Sequence, residues 1–158
     1  MSRRRCRTPA GALELASGGQ IASASIATAT GAGGDVQLNL SSALTISGAS
    51  PTGRSPLPTP FSDFFTDARS GIFTTAAGSG PGGNITIRSP QQIRILNGGT
   101  ISAASTGDVN ATAGNITINF GDRFSMDGSS ITTSSTLADG GNIVITSTGS
   151  ILDLSDSQ

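Results

Sequence analysis

Residues 82–105 read GGNITIRSPQQIRILNGGTISAAS, and residues 114–135 read GNITINFGDRFSMDGSSITTSS. The second stretch restates the first, so the fold is decided by how often the statement recurs and at what spacing. A Gly-Asx-apolar-x-apolar segment occurs as Gly34-Asp35-Val36-Gln37-Leu38, Gly83-Asn84-Ile85-Thr86-Ile87, Gly114-Asn115-Ile116-Thr117-Ile118 and Gly141-Asn142-Ile143-Val144-Ile145. The Asx positions are 49 (35 to 84), 31 (84 to 115) and 27 (115 to 142) residues apart. A second apolar-x-apolar segment starts nine residues after the Asx at Leu44, Ile93 and Phe124, and ten after it at Leu152. It also stands alone at Leu13-Glu14-Leu15. A third begins at Ile21, Ile72, Ile101 and Ile131, each followed by small residues.

Within each segment apolar and polar residues alternate, as in Ile85 and Ile87 against Thr86 and Arg88, which is the period-two pattern of a strand with one buried face. That period, with the Gly and β-branched content, excludes helix. Gly48, Gly98 and Gly128, and Gly83, Gly114 and Gly141, mark turns, at places where positive φ is cheap. Three strands and three turns in 27 to 31 residues make one coil of a solenoid, each strand pairing with its equivalent one coil away. The prediction is an all-β, right-handed parallel β-helix of about four coils over residues 13–158, with one long insertion at residues 49–71. Each coil buries its apolar face only against a copy of itself.

Composition narrows the chemistry. The chain has 158 residues, no Trp, Tyr, His or Lys, one Glu and nine Arg, with a formal net charge of −1. The usual acid–base side chains are scarce, which disfavours an enzyme, and no basic footprint for nucleic acid or an anionic membrane exists. Residues 1–12 are basic and aperiodic and are expected to form a disordered tail. The apolar core of a signal peptide is interrupted by Gly11, Glu14, Ser17 and Gly18, and no run is long enough to span a bilayer. Cys6 is the only cysteine, so no internal disulfide forms. No cofactor or metal site is read from the sequence.

Two features are candidates for more than packing. Asp35, Asn84, Asn115 and Asn142 fall at one corner, where each stacked amide donates to one neighbour and accepts from the other, forming a structural ladder. The same repeats create Asn-x-Ser/Thr matches at Asn39, Asn84, Asn110 and Asn115, read as by-products rather than glycosylation sites. The insertion holds four of seven Pro and three of six Phe. Thr59-Pro60 is a helix start that would put Phe61, Phe64 and Phe65 on one face, as a flap over the solenoid or as a candidate binding loop.

The GGNITI, LNGGTISAAS and DGGNIVI pieces, with the Ser-Gly-x-Ser-Pro-x-Gly-Arg run from Ser47 to Arg54, resemble the β-helical shafts of bacterial filamentous haemagglutinin-like exoproteins. The resemblance covers about residues 13–158. It implies a secreted or cell-surface protein of the two-partner secretion type, exported by an outer-membrane transporter and acting in adhesion, with surface glycans or receptors on host or neighbouring cells as ligands. It supplies no catalytic residues.

Two other classes use such a fold. A pectate-lyase-like enzyme needs carboxylates converging on one outer face with a basic residue beside them. The outward second-strand positions read Glu14, Thr45, Arg94, Ser125 and Asp153, which scatter, and the nearest cluster is Asp122, Arg123 and Asp127. An ice-binding solenoid needs a flat Thr array, and the outward third-strand positions read Ala22, Phe73, Ser102 and Thr132. Because the pattern begins at a second strand and breaks off before a third, the chain is expected to be a piece of a longer shaft that associates end to end.

Overall fold

The computed structural model describes residues 6–54, 68–107, 110–149 and 151–158. Among these, fourteen strands follow one another: β1 Cys6–Ala10, β2 Leu13–Ala16, β3 Gln20–Ser25, β4 Val36–Leu40, β5 Leu44–Ser47, β6 Gly71–Ala76, β7 Ile85–Ser89, β8 Gln92–Leu96, β9 Thr100–Ser105, β10 Ile116–Phe120, β11 Arg123–Asp127, β12 Ser130–Ser135, β13 Ile143–Ser147 and β14 Ile151–Ser155. They form three parallel sheets. Sheet A has the order β1-β4-β7-β10-β13, sheet B β2-β5-β8-β11-β14, and sheet C β3-β6-β9-β12. Parallel neighbours require a crossover connection, and here the crossover between two strands of one sheet is the other two strands of the coil. The molecule is a parallel β-solenoid of about four turns, and none of its described residues is helical.

The register is the one the repeat dictates. Val36, Ile85, Ile116 and Ile143 stand in one inward column of sheet A. Leu44, Ile93, Phe124 and Leu152 stand in one column of sheet B, and Ile21, Ile72, Ile101 and Ile131 in one of sheet C. Ile85, Ile87, Ile93, Ile95, Ile116, Ile118 and Phe124 are fully buried between the sheets. Farther along sheet C the inward residues shrink to Ser23, Thr74, Ala103 and Thr133. There Thr74 and Thr133 turn their hydroxyls to the carbonyls of Gly83 and Gly141, each at 2.7 Å, and so satisfy acceptors at the corner leading back to sheet A. Across the corner between sheets A and B, Phe120 and Phe124 pack with ring centroids 5.5 Å apart.

The two glycine sets have different causes. At the corner between sheets B and C, one register position is left-handed in every coil: Ser17 (φ 53°), Gly48 (73°), Asn97 (52°), Gly128 (55°) and Asp156 (44°). Here Gly, Asn and Asp relieve a real φ cost. At Gly83, Gly114 and Gly141 positive φ would be as cheap, but the backbone does not use it. A Cβ at Gly114 would drive into the carbonyl oxygen of Gly83, and one at Gly141 into that of Gly114. Those glycines are required by how closely one coil sits on the next.

The N-terminal expectation is corrected in part. Cys6–Ala10, expected to lie in a disordered tail, is strand β1 and pairs in parallel with Val36–Leu40, so the first coil does have its sheet A strand. Pro9 argues against a strand on sequence grounds, yet its position is tolerant. Inward residues such as Val36 and Ile85 donate their N–H toward the following coil, and ladder directions alternate along a strand. Pro9, in register with Asn39, therefore lacks a donor only on the open side of an edge strand, where proline is accepted.

Candidate functional site

The outer face of sheet A carries a polar column whose members are hydrogen-bonded from coil to coil. At its leading corner, Asn84 donates to Asp35 Oδ1 from its backbone N at 2.9 Å and from Nδ2 at 3.1 Å. Asn115 repeats both bonds onto Asn84 Oδ1 at 2.9 and 3.1 Å, and the Asn142 backbone N donates to Asn115 Oδ1 at 2.9 Å. The structure thus brings Asp35, Asn84, Asn115 and Asn142 into one column. The bond present at every step of that column runs from backbone N–H to side-chain oxygen, which sequence pattern alone did not indicate. Asp35 stands at the one place where its side chain only accepts, so a carboxylate fits there.

Two residues along, on the same face, Gln37, Thr86 and Thr117 are in register. With Asp35, Asn84 and Asn115 they line an open groove of about 390 Å³. These three were not singled out from the sequence, although their place two residues after each Asx puts them on its face. Chemically the groove offers amides, hydroxyls and one carboxylate. It suits a ligand held by neutral hydrogen bonds.

The insertion leaves the solenoid at the corner between sheets B and C. Its two ends stay together: Ala49 and Arg69 form an antiparallel bridge, the Ser50 N–H donates to the Ala68 carbonyl at 2.6 Å, and the Ser70 N–H to the Gly48 carbonyl at 2.8 Å. The neck is fastened to the first coil, where the Gly18 N–H donates to the buried Ser70 Oγ at 2.9 Å and Gln20 Nε2 to the Arg69 carbonyl at 2.9 Å. Phe61, Phe64 and Phe65 and the Thr59-Pro60 helix start lie outside the described residues.

On sheet B, Glu14, Thr45, Arg94, Ser125 and Asp153 share one outward column. Its two carboxylates are four strand spacings apart, roughly 19 Å, too far to hold one cation. Arg123 and Asp127 sit at opposite ends of β11, about 13 Å of strand apart, and with Asp122 all three are exposed. On sheet C, Ala22, Phe73, Ser102 and Thr132 share a column, with Thr132 Oγ1 donating to Ser102 Oγ at 3.2 Å. Among the described residues no group of three or more His, Cys, Asp or Glu side chains is placed to hold a metal.

Compared with protein families, with characterised proteins and with solved structures, the chain matches none of them.

Proposed function

We propose that this chain is a non-catalytic structural segment of a bacterial surface or secreted adhesin of the filamentous haemagglutinin-like type, whose outer faces mediate attachment. The observation that carries the reading is the agreement between the resemblance and the coil. The GGNITI and LNGGTISAAS pieces that resemble such shafts lead into and form β7 of sheet A and β9 of sheet C in one turn, and DGGNIVI leads into β13, the sheet A strand two turns later. Export by an outer-membrane two-partner transporter suits the physics of the fold. A solenoid needs only nearest-neighbour contacts, so each emerging coil can form on the one before it, and a single cysteine leaves no disulfide to be arranged. The place of action is then the cell surface or the medium, with surface glycans or receptors on host or neighbouring cells as ligands. The groove beside the Asx column, lined by Gln37, Thr86 and Thr117, is the face offered for contact.

The test is binding of the labelled, purified chain to a glycan array and to intact cells, alongside an assay for unsaturated uronate release from pectate. Saturable binding that is weakened by Thr86→Arg and Thr117→Arg, without uronate release, is the expected result. Uronate release would replace this reading with the lyase one, and absence of binding on both arrays and cells would overturn it.

A further inference from the structure

We infer that the ligand of the outer face of sheet A is a mixed glycan, one carboxylated sugar among neutral ones, and that Arg88 takes the carboxylate. The inference rests on the glycan-binding reading above and adds a second groove to it. From β4 to β13 the outward positions of sheet A hold one cation, Arg88, and at the leading corner one carboxylate, Asp35. Arg88 stands two residues beyond Thr86 on β7, about 7 Å along the strand, so it carries the same face on toward the corner with sheet B. There an open groove of about 320 Å³ is lined by Arg88, Pro90, Asn119 and Thr148, together with the nearly buried Leu40 and Phe120. The first groove offers amides, hydroxyls and a carboxylate. This one sets apolar surface, which suits the C–H face of a sugar ring, beside a cation and an amide.

The polar heads at this groove are not used by the fold. Asn39 and Asn119 are the register partners of Arg88 in β4 and β10, one strand spacing away on either side. In the Asx column each side-chain oxygen accepts from the next coil, but here an arginine, which has no acceptor, interrupts the series. Among the described residues no hydrogen bond or ion pair engages the side chain of Asn39, Arg88 or Asn119. A guanidinium fork matches a carboxylate in a bidentate pair, and an amide on each side of it suits ring hydroxyls.

Asp35 limits how many acids the ligand carries. It lines the first groove, four residues from the register position of Arg88 and roughly 13 Å away along the strand. An oligosaccharide spanning both grooves and acidic at every sugar would bring a carboxylate to Asp35. One acidic sugar at Arg88, with neutral sugars over Asn84, Thr86 and Thr117, avoids that repulsion. Sialate and glucuronate both present the carboxylate that this arrangement requires.

Isothermal titration calorimetry of the 158-residue chain tests this, with far-UV circular dichroism confirming that each variant is folded. The titrants are a neutral lactosamine tetrasaccharide, the same chain ending in sialate or in glucuronate, and a galacturonate tetramer. A singly carboxylated chain is expected to bind about tenfold more tightly than the neutral one, and the better of the two identifies the acid. The galacturonate tetramer binds less tightly than that chain, and Asp35→Asn narrows the gap. Arg88→Gln brings the affinity for the carboxylated chain down to that for the neutral one, whereas Arg94→Gln, on the outer face of sheet B, leaves the preference in place. Equal affinity of the wild type for neutral and carboxylated chains, a preference that survives Arg88→Gln, or tightest binding of the galacturonate tetramer would overturn the inference and leave the glycan-binding reading standing. Binding of none of these sugars would overturn the inference and, where the glycan array is also blank, the reading beneath it.

Discussion

Asn84 Oδ1 accepts two hydrogen bonds from Asn115, one from the backbone N at 2.9 Å and one from Nδ2 at 3.1 Å. One oxygen thereby fixes both the chain path and the side-chain rotamer of the next coil, and the column acquires a direction running from Asp35 to Asn142.

That direction predicts an asymmetry. Asp35 only accepts, so Asp35→Asn keeps the acceptor and should change stability by less than about 0.5 kcal/mol. Asn115→Asp removes the Nδ2 donor and sets a carboxylate against Asn84 Oδ1, so it should cost roughly 1–3 kcal/mol. Urea denaturation of the two variants decides; equal losses would mean that the column has no direction.

Burial within a single column varies as strongly as chemistry does between columns. Ile116 is fully buried and Ile143, its register partner, is 42% exposed. Ile116→Asp should cost several kcal/mol and unfold the central coils, while Ile143→Asp should leave the melting temperature within a few degrees. Thermal unfolding of the monomer at low concentration makes the comparison, and matching losses would refute the register.

Ser105 is 2% exposed and its hydroxyl has no hydrogen-bond partner among the described residues. Its register partner in β6 is Ala76, which shows that the column accepts a methyl. Ser105→Ala should be neutral or stabilising by about 1 kcal/mol, since it removes an unsatisfied buried polar group. A clear destabilisation by calorimetry would imply that an internal water holds this hydroxyl.

The solenoid was legible because its information is repeated: the apolar period of two and the recurrence of Gly-Asx set both strand and register. The Asx column was legible in position and in its amide-to-oxygen bonds at Asn84 and Asn115, but not in the backbone N–H bond that each side-chain oxygen also accepts, because every residue but proline carries such a donor. Strand β1 was hidden for the complementary reason. Residues 6–10 have no Gly-Asx lead and contain Pro9, and only knowing which way its missing N–H would point reconciles that residue with an edge strand. The polar residues Gln37, Thr86 and Thr117 were visible as outward positions, but nothing local distinguishes a groove wall from an ordinary solvated face.

The glycines give the last prediction, because two that look alike in sequence are needed for different reasons. Gly128 is left-handed at φ 55°, and a Cβ there would meet nothing within 4 Å. Gly128→Ala therefore bears only the conformational cost, about 1–2 kcal/mol, and Gly128→Asn should recover most of it, as Asn97 already occupies the same register position at φ 52°. The matching substitution Ser17→Gly should stabilise the first coil by a similar amount, since it relieves a serine held at φ 53°. Gly114 has no such φ, but its Cβ would strike the Gly83 carbonyl, a backbone atom that cannot swing aside. Gly114→Ala should therefore cost more than Gly128→Ala, and Asn at 114 should be worse than Ala rather than better. Equilibrium denaturation of the five variants separates the two mechanisms; rescue by Asn at both positions would show that φ alone governs them and that coil spacing does not.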